Sequence, residues 1–407
     1  MTSSTPVAQY GQPNRVPVED MMFEIANQSF AVGAALDRVV DQIRALDPAE
    51  LAACEHLYLT GCGDSLYAGM AARMAFHRLA RIPTDAVEAL EFGRYTADLL
   101  PPRSLVVGVS NSGKATRTVE AVQCATDAGQ LSVAVTGDPT SRLADAAKLV
   151  IDQRVERDGR VLTMPSNLDS TASRPSFGLA NYLVSLTTLL ALAAEIGRVR
   201  GTVTDDEVAA FHRSMRDAAD TLDATVTGCA EAAGTLAERC AGGDRDLIIL
   251  GAGPGLAMAL FYGAKTYELA RINGNVQQLE EWAHEQFFLC GPRTELLLVA
   301  PAGRAADRSR EIADTAGQLG AHVTVVTDTA AAADWSGVDV IPVARPVPEE
   351  LVGIPYVAPG EVFATQVARL HGNDAFQFDS QLQYVLNMTT IQETRQYRLP
   401  GPVDGRR

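Results

Sequence analysis

Two stretches of the chain repeat one another at an interval of 190 residues, and that interval limits what the chain can fold into. The first pair is HLYLTGCGDSLYAGMAARMA at 56–75 and DLIILGAGPGLAMALFYGAK at 246–265. The second pair is SLVVGVSNSG at 104–113 and TELLLVAPAG at 294–303. Gly61 and Gly113 stand 52 residues apart, and so do Gly251 and Gly303. Each stretch of the first pair opens with a β-branched and leucine-rich run, turns on glycines and continues with helical periodicity. The pattern predicts a further helix and strand in each copy, at 115–128 and 132–136, and at 305–319 and 322–327. Strands alternating with helices at this spacing imply parallel sheets covered on both faces. A period this long excludes a solenoid and points to a duplicated α/β domain.

The remaining chain divides around that repeat. An N-terminal arm and helix is expected at 1–35, a first domain at 36–200, a second at 207–350, and a C-terminal helix and tail at 351–407. A long apolar helix at 177–196 closes the first copy, a polar joint follows at 201–206, and the tail is expected to pack back over the body. With 407 residues, 47% of them hydrophobic and 21% charged, there is enough material for two cores. A formal charge of −16 repels nucleic acid. No unbroken apolar run of 18 residues suggests a membrane span, and the polar start has no secretory signal pattern. The six cysteines are scattered without a CxxC pair, so reduced thiols are expected rather than a disulfide framework or a zinc cage. These features together predict a cytoplasmic protein.

The two copies are not chemically equal. Ser110, Asn111 and Ser112 follow the second strand-like run of the first copy, whereas Ala300, Pro301 and Ala302 follow its twin. A loop leading from a strand into a helix presents free backbone N–H groups and the positive end of the helix dipole. The turn holding Gly63 and Ser65 ends the neighbouring strand. With Thr116 and Lys114 beside it, the hydroxyl loop reads as an anion cradle. Serines in such places also serve as helix N-caps. Neither glycine turn completes GxGxxG and no GxxxxGK[ST] occurs, so no nucleotide cofactor is expected. No HxH, HExxH or clustered Asp/His set suggests a metal.

These residues resemble the SIS (sugar isomerase) domain family, and within it the isomerase half of the glucosamine-6-phosphate synthases. The family's CGxS turn is similar to Cys62-Gly63-Asp64-Ser65, and its SQSGET loop to 110–115. Its ASTKAF segment is similar to 172–177, which includes Ser173. Its catalytic glutamate is matched by Glu268, and its loop histidine by His284, sixteen residues on. The resemblance covers about 18–385 and implies two tandem flavodoxin-like parallel-sheet domains. It also implies a homodimer in which His284 serves the neighbouring subunit. Three departures stand out. The glutaminase half is absent, so glutamine-fed amination is not expected. The C-terminal lysine that opens the sugar as an imine in the family falls at Gln383, and no lysine follows Lys265. Lys114 and Ala115 replace the loop's usual glutamate and threonine.

On this reading the chain is an aldose–ketose isomerase for a hexose with a terminal phosphate or sulfonate. Glu268, raised in pKa by burial, would move the proton through an enediol, and His284 would shuttle the ring-oxygen proton. Glu280, Glu281 and Trp282 stand where they would orient or stack against His284, and Glu281 is also a candidate second carboxylate. His371 is a lesser histidine candidate. Two other readings are a deaminase or deglycase acting on an amino-sugar or Amadori phosphate, and a non-catalytic sugar-phosphate sensor.

Overall fold

A computed structural model describes residues 17–157, 160–163 and 178–399. The chain begins with α1 (Val18–Ile25), α2 (Gln28–Arg44) and the short α3 (Pro48–Ala52). Helix α2 runs straight through residue 35, the expected edge of the N-terminal segment, and packs against later helices. The first domain then alternates β1 (His56–Gly61), α4 (Asp64–Ala75), β2 (Thr84–Glu88), α5 (Ala89–Tyr95), β3 (Ser104–Val109), α6 (Thr116–Asp127), β4 (Leu131–Thr136), α7 (Arg142–Ala146) and β5 (Leu149–Asp152). A two-stranded ribbon, β6 (Glu156–Arg157) and β7 (Arg160–Val161), precedes α8 (Leu179–Val199).

Helices α9 (Asp205–Gly228) and α10 (Ala230–Ala241) connect the halves. Thr204 and Glu207 form a reciprocal capping box that fixes where α9 starts. The second domain runs β8 (Asp246–Gly251), α11 (Pro254–Lys265), β9 (Gly274–Gln278), α12 (Leu279–His284), β10 (Thr294–Val299), α13 (Ala306–Gln318), β11 (His322–Asp328) and β12 (Asp339–Val343). Helices α14 (Val357–His371) and α15 (Gln381–Gln392) end the described chain.

Each domain holds a five-stranded parallel sheet, β2-β1-β3-β4-β5 and β9-β8-β10-β11-β12. Both have the flavodoxin-like order, in which the chain switches faces between the first and third strands. Central strands such as β3 are buried along their whole length, as expected where helices cover both faces. One core joins the halves: Leu57, Leu59 and Val107 of the first sheet and Leu247, Ile249 and Leu297 of the second share it with residues from α4, α8, α11 and α14. Separate outer clusters lie beneath α5–α6 and α12–α13. Helix α8 is long and apolar enough to cross a membrane, yet 94% of its most apolar stretch is buried in this molecule.

The repeat persists in backbone detail. Gly63 and Gly253 precede their helices with φ +54°, a conformation that costs glycine nothing. Each of those helices runs into a π-helical turn, Phe76–Ala80 and Thr266–Ala270, closed by a left-handed arginine, Arg81 and Arg271. In the second copy the sequence reads as one continuous apolar helix from 256 to 269, and the π turn corrects that reading. The α-helix stops at Lys265, where the Thr266 hydroxyl donates back to the Gly263 carbonyl at 2.7 Å; the first copy makes the same turn with Phe76 in that place, so the hydroxyl is not what both turns require. Glu268 therefore sits in the wider turn.

Candidate functional site

The first domain's chain switches faces between β1, which feeds α4 on the inner side, and β3, which feeds α6 on the outer side. Ligands of open α/β sheets bind at such a point. Two turns meet there. A Cβ at Gly61 would lie 2.8 Å from the Ser65 Cβ and 3.0 Å from the Val109 carbonyl oxygen, so Ser65 stands directly beside the end of β3. Ser110 and Asn111 are buried, and Ser112 and Lys114 are half-buried. The loop's shape is locked by backbone bonds. Ser110 N–H donates to Val135 O at 3.1 Å, Gly137 N–H to Asn111 O at 2.9 Å, and Gly113 N–H to Ser110 O at 3.0 Å. Asn111 Oδ1 accepts from Gln153 Nε2 at 3.3 Å.

The serines are not helix caps. The N-cap positions of α4 and α6 are Gly63 and Ala115, and neither helix end receives a side-chain cap. The first-turn N–H groups thus remain for something other than the chain's own capping side chains. Thr116, at the first position of α6, is fully buried, and its hydroxyl has no hydrogen-bond partner among the described residues. Cys62, in the same turn as Gly63, is no thiolate: burial, then the carboxylate of Glu88, pushes its pKa up to about 12. Ser173 lies outside the described residues.

The second domain reaches this place through α11. Lys265, 2% exposed at its side chain, donates to Asp64 Oδ2 at 2.8 Å and to Glu268 Oε2 at 2.7 Å. The base candidate of one half and the anion turn of the other are thus one ammonium group apart. Burial raises the Glu268 pKa; Lys265 opposes that rise and Asp64 adds to it. The carboxyl still keeps 35% of its side-chain surface open to solvent, so a substrate can reach it. Burial works against the charge on Lys265, but Asp64 and Glu268 outweigh it and hold the ammonium above its ordinary range. Beneath them Glu361, with no exposure, accepts from Gln28 Nε2 at 2.8 Å, and burial pushes its carboxyl up to about 8.

The structure does not bring His284 to Glu268 within one chain. Helix α12 packs on the outer face of the second sheet with Leu279 and Trp282, whereas α11 packs on the inner face. His284 is 70% exposed and lies 3.8 Å from Glu280, one helical turn earlier. Of the three residues expected around it, one is within reach. Glu280 rather than Glu281 is the carboxylate within ionic reach, because i and i+4 share a helix face. Trp282 is buried in the outer core, with its ring edge-on to Phe287 at 6.0 Å, and does not stack on the histidine. His371 instead bonds the Ala241 carbonyl at 2.9 Å.

Asp64, Lys265 and Glu361 were not singled out from the sequence. The Lys265–Glu268 spacing of three was a usable signal, as was the presence of only three lysines in the chain. The tail does return to the body. Phe376 N–H bonds the carbonyl of Glu268 itself at 2.9 Å, and Arg117 of α6 holds Thr394 at 2.8 Å.

Comparison with known proteins gives the same picture. Residues 50–176 match the model of the SIS domain. The glutamine–fructose-6-phosphate aminotransferase (isomerizing) of Zymomonas mobilis is 26% identical over 376 residues, which is 88% of this chain and 57% of that protein. The chain therefore spans little more than half the length of that curated relative. The C-terminal domain of glucosamine-fructose-6-phosphate aminotransferase from Francisella tularensis has a TM-score of 0.73 at 18% identity, covering 88% of this chain and 98% of that one. Tagatose-6-phosphate ketose/aldose isomerase from Escherichia coli has a TM-score of 0.64 at 16% identity, covering 89% and 97%. At these identities the solved structures speak for the fold.

Proposed function

The chain carries a SIS domain whose fold its second half repeats, and on that footing we propose that it interconverts an aldose and a ketose bearing a terminal phosphate or sulfonate. The observation that carries this reading is the lysine bridge, which joins the turn beside the anion loop to a raised carboxylate. The loop of Ser110, Asn111, Ser112 and Gly113, with Ser65, Lys114 and the Thr116 hydroxyl, grips the anionic end of the sugar. Glu268 takes a proton from one of the first two carbons and returns it to the other through a cis-enediol. Lys265 stabilises the negative charge that develops on the enediol oxygens.

An imine route has little support. The tail offers Gln383 where a lysine would be needed, and Lys265 is kept as an ammonium between two carboxylates, which suppresses its nucleophilicity. Ring opening falls to His284 acting on the cleft of a second copy of this chain. The exposed Phe288 and Leu289, close after it in sequence, are the kind of apolar surface that a second subunit covers.

A second reading, loss of nitrogen from an amino-sugar or Amadori phosphate, is favoured by one observation. Two carboxylates face a single lysine, and that negative balance suits a protonated amine. One experiment tests both: incubation with 6-phospho and 6-sulfo hexoses and their amino derivatives in deuterated water. Deuterium at C1 or C2 is the expected result, and release of ammonia or amine would select the second reading. No exchange with any member of the panel would remove both.

A further inference from the structure

The duplication gives the Glu268 cleft a twin. Displaced by 190 residues, Gly63, Lys114 and Glu268 correspond to Gly253, Arg304 and, in the reverse direction, Arg78. Gly253, Arg304 and Arg78 do meet. With Met70, Arg73 and Glu349 they line a cavity of about 420 Å³ on the opposite end of the α4–α11 pair. The charge pattern is inverted, since an arginine stands where the first cleft has its carboxylate base. In a chain of net charge −16, this hollow gathers three arginines, and Arg73 has no ionic partner among the described residues.

The loop of the twin has lost its hydroxyls but not its donors, and those donors are engaged. Arg304 N–H donates to Glu349 Oε1 at 3.3 Å, and Arg304 Nε lies 3.4 Å from Glu349 Oε2. Gly303 makes room for this carboxylate: a Cβ there would lie 2.8 Å from Glu349 Oε1. Next to it, Glu350, 5% exposed, accepts from Arg78 Nη1 at 2.6 Å with both oxygens. In the first loop the equivalent N–H, on Lys114, meets the hydroxyl of Ser112, at 3.3 Å, in place of a carboxylate.

We propose that this second cleft is an anion-binding site for small phosphate- or carboxylate-bearing molecules, closed in the resting chain by Glu349, whose carboxylate stands in for the ligand on the Gly303–Arg304 turn. An external anion enters by displacing that side chain and gains Arg304, Arg73 and the turn's N–H group.

The test is a calorimetric titration with inorganic phosphate. In a Ser110→Ala/Ser112→Ala chain, which weakens the first site, adding Glu349→Gln is expected to tighten the remaining phosphate binding roughly tenfold or more, because a charged competitor for the same donors is gone. Equal affinity with and without Glu349→Gln overturns the proposal. A second variant guards against misfolding. Arg304 is 80% exposed at its side chain, so Arg304→Ala leaves the fold intact. It must abolish the weaker phosphate equivalent of the otherwise unaltered chain, and persistence of that equivalent is equally fatal. Failure of the first site to respond to its serine substitutions would count against the proposed sugar-phosphate cleft and leave this comparison readable.

Discussion

Asp64 accepts a 2.8 Å hydrogen bond from Lys265, a residue 201 positions later that belongs to the other half of the duplication. Asp64 opens α4 beside the anion turn, and Lys265 closes α11 just before the π turn that carries Glu268. The bond therefore fixes the distance between the proposed anion turn and the proposed base.

Lys265→Met should show how far the molecule depends on that bridge. It would leave two carboxylates facing each other without their cation. The expected loss of stability is at or below the roughly 3–5 kcal/mol seen when a fully buried pair is broken, since Asp64 and Glu268 keep 25% and 35% side-chain exposure. Urea unfolding measures it, and the double variant with Asp64→Asn should recover part of the loss. An unchanged midpoint in the single variant would mean the bridge contributes nothing.

Glu268→Gln keeps the shape of the base and removes its proton affinity. Solvent exchange into the sugar should fall by about 10²-fold or more, the usual range for a positioned general base, with sugar binding nearly unchanged. Mixing this variant with His284→Ala tests the shared site. If each cleft takes its histidine from the other subunit, random reassortment restores about a quarter of wild-type activity. Activity no greater than that of the separate variants would tie both residues to one chain or dismiss His284.

Ser110→Ala combined with Ser112→Ala should weaken sugar-phosphate affinity by about 1.5–3 kcal/mol for each lost bond to a charged group, with little effect on turnover at saturation. The loop backbone is held by Val135, Gly137 and Gln153 whether or not the hydroxyls are present. Unfolding measurements should therefore hardly change, and an equal affinity would remove the cradle.

Glu361 makes the stability of the fold depend on pH. Its carboxyl is raised by burial from an ordinary 4.5 to about 8, against the opposing effects of Gln28 and Lys265 and with Asp64 and Glu24 adding to the rise. Below about 4.5 both folded and unfolded chains hold the proton and its stabilisation is complete. Between 4.5 and 8 only the folded chain holds it, so this group lowers stability by up to about 1.4 kcal/mol per pH unit as pH rises. Glu361→Gln should flatten the profile of urea midpoint between pH 5 and 8. A profile parallel to wild type would show that Glu361 titrates normally. Glu268 is shifted in the same direction, but a base works ionised, so the proposed activity should fade on acidification at a pH above the usual glutamate value.

The duplication was legible because glycine turns and apolar strands leave strong, regularly spaced marks, and the repeat then located both five-stranded sheets. The edge strands were harder. TDAVE (β2) and GNVQQ (β9) carry too little apolar signal, since an edge position buries fewer side chains. Glu268 was a candidate by resemblance, but its π turn had no local mark, since Phe76 begins the turn in one copy and Thr266 in the other. Asp64 and Glu361 owe their importance to groups more than 200 and 300 positions away, a relation that local pattern cannot supply. His284 was paired with Glu268 through the family resemblance, as a residue serving a neighbouring subunit; within one chain the sheet between their helices separates them.

Helix α8, whose Tyr182 ring packs 4.7 Å from Phe261 of the second half, bears on how a chain like this can be divided. The helix lies mostly against α2 and α4 of its own half, so cutting between the halves would leave it largely covered and would uncover instead the seam where α4 meets α11. That seam carries Asp64 and Lys265 at one end and Arg73 and Gly253 at the other, so a change in how the two helices cross would be felt at both ends together.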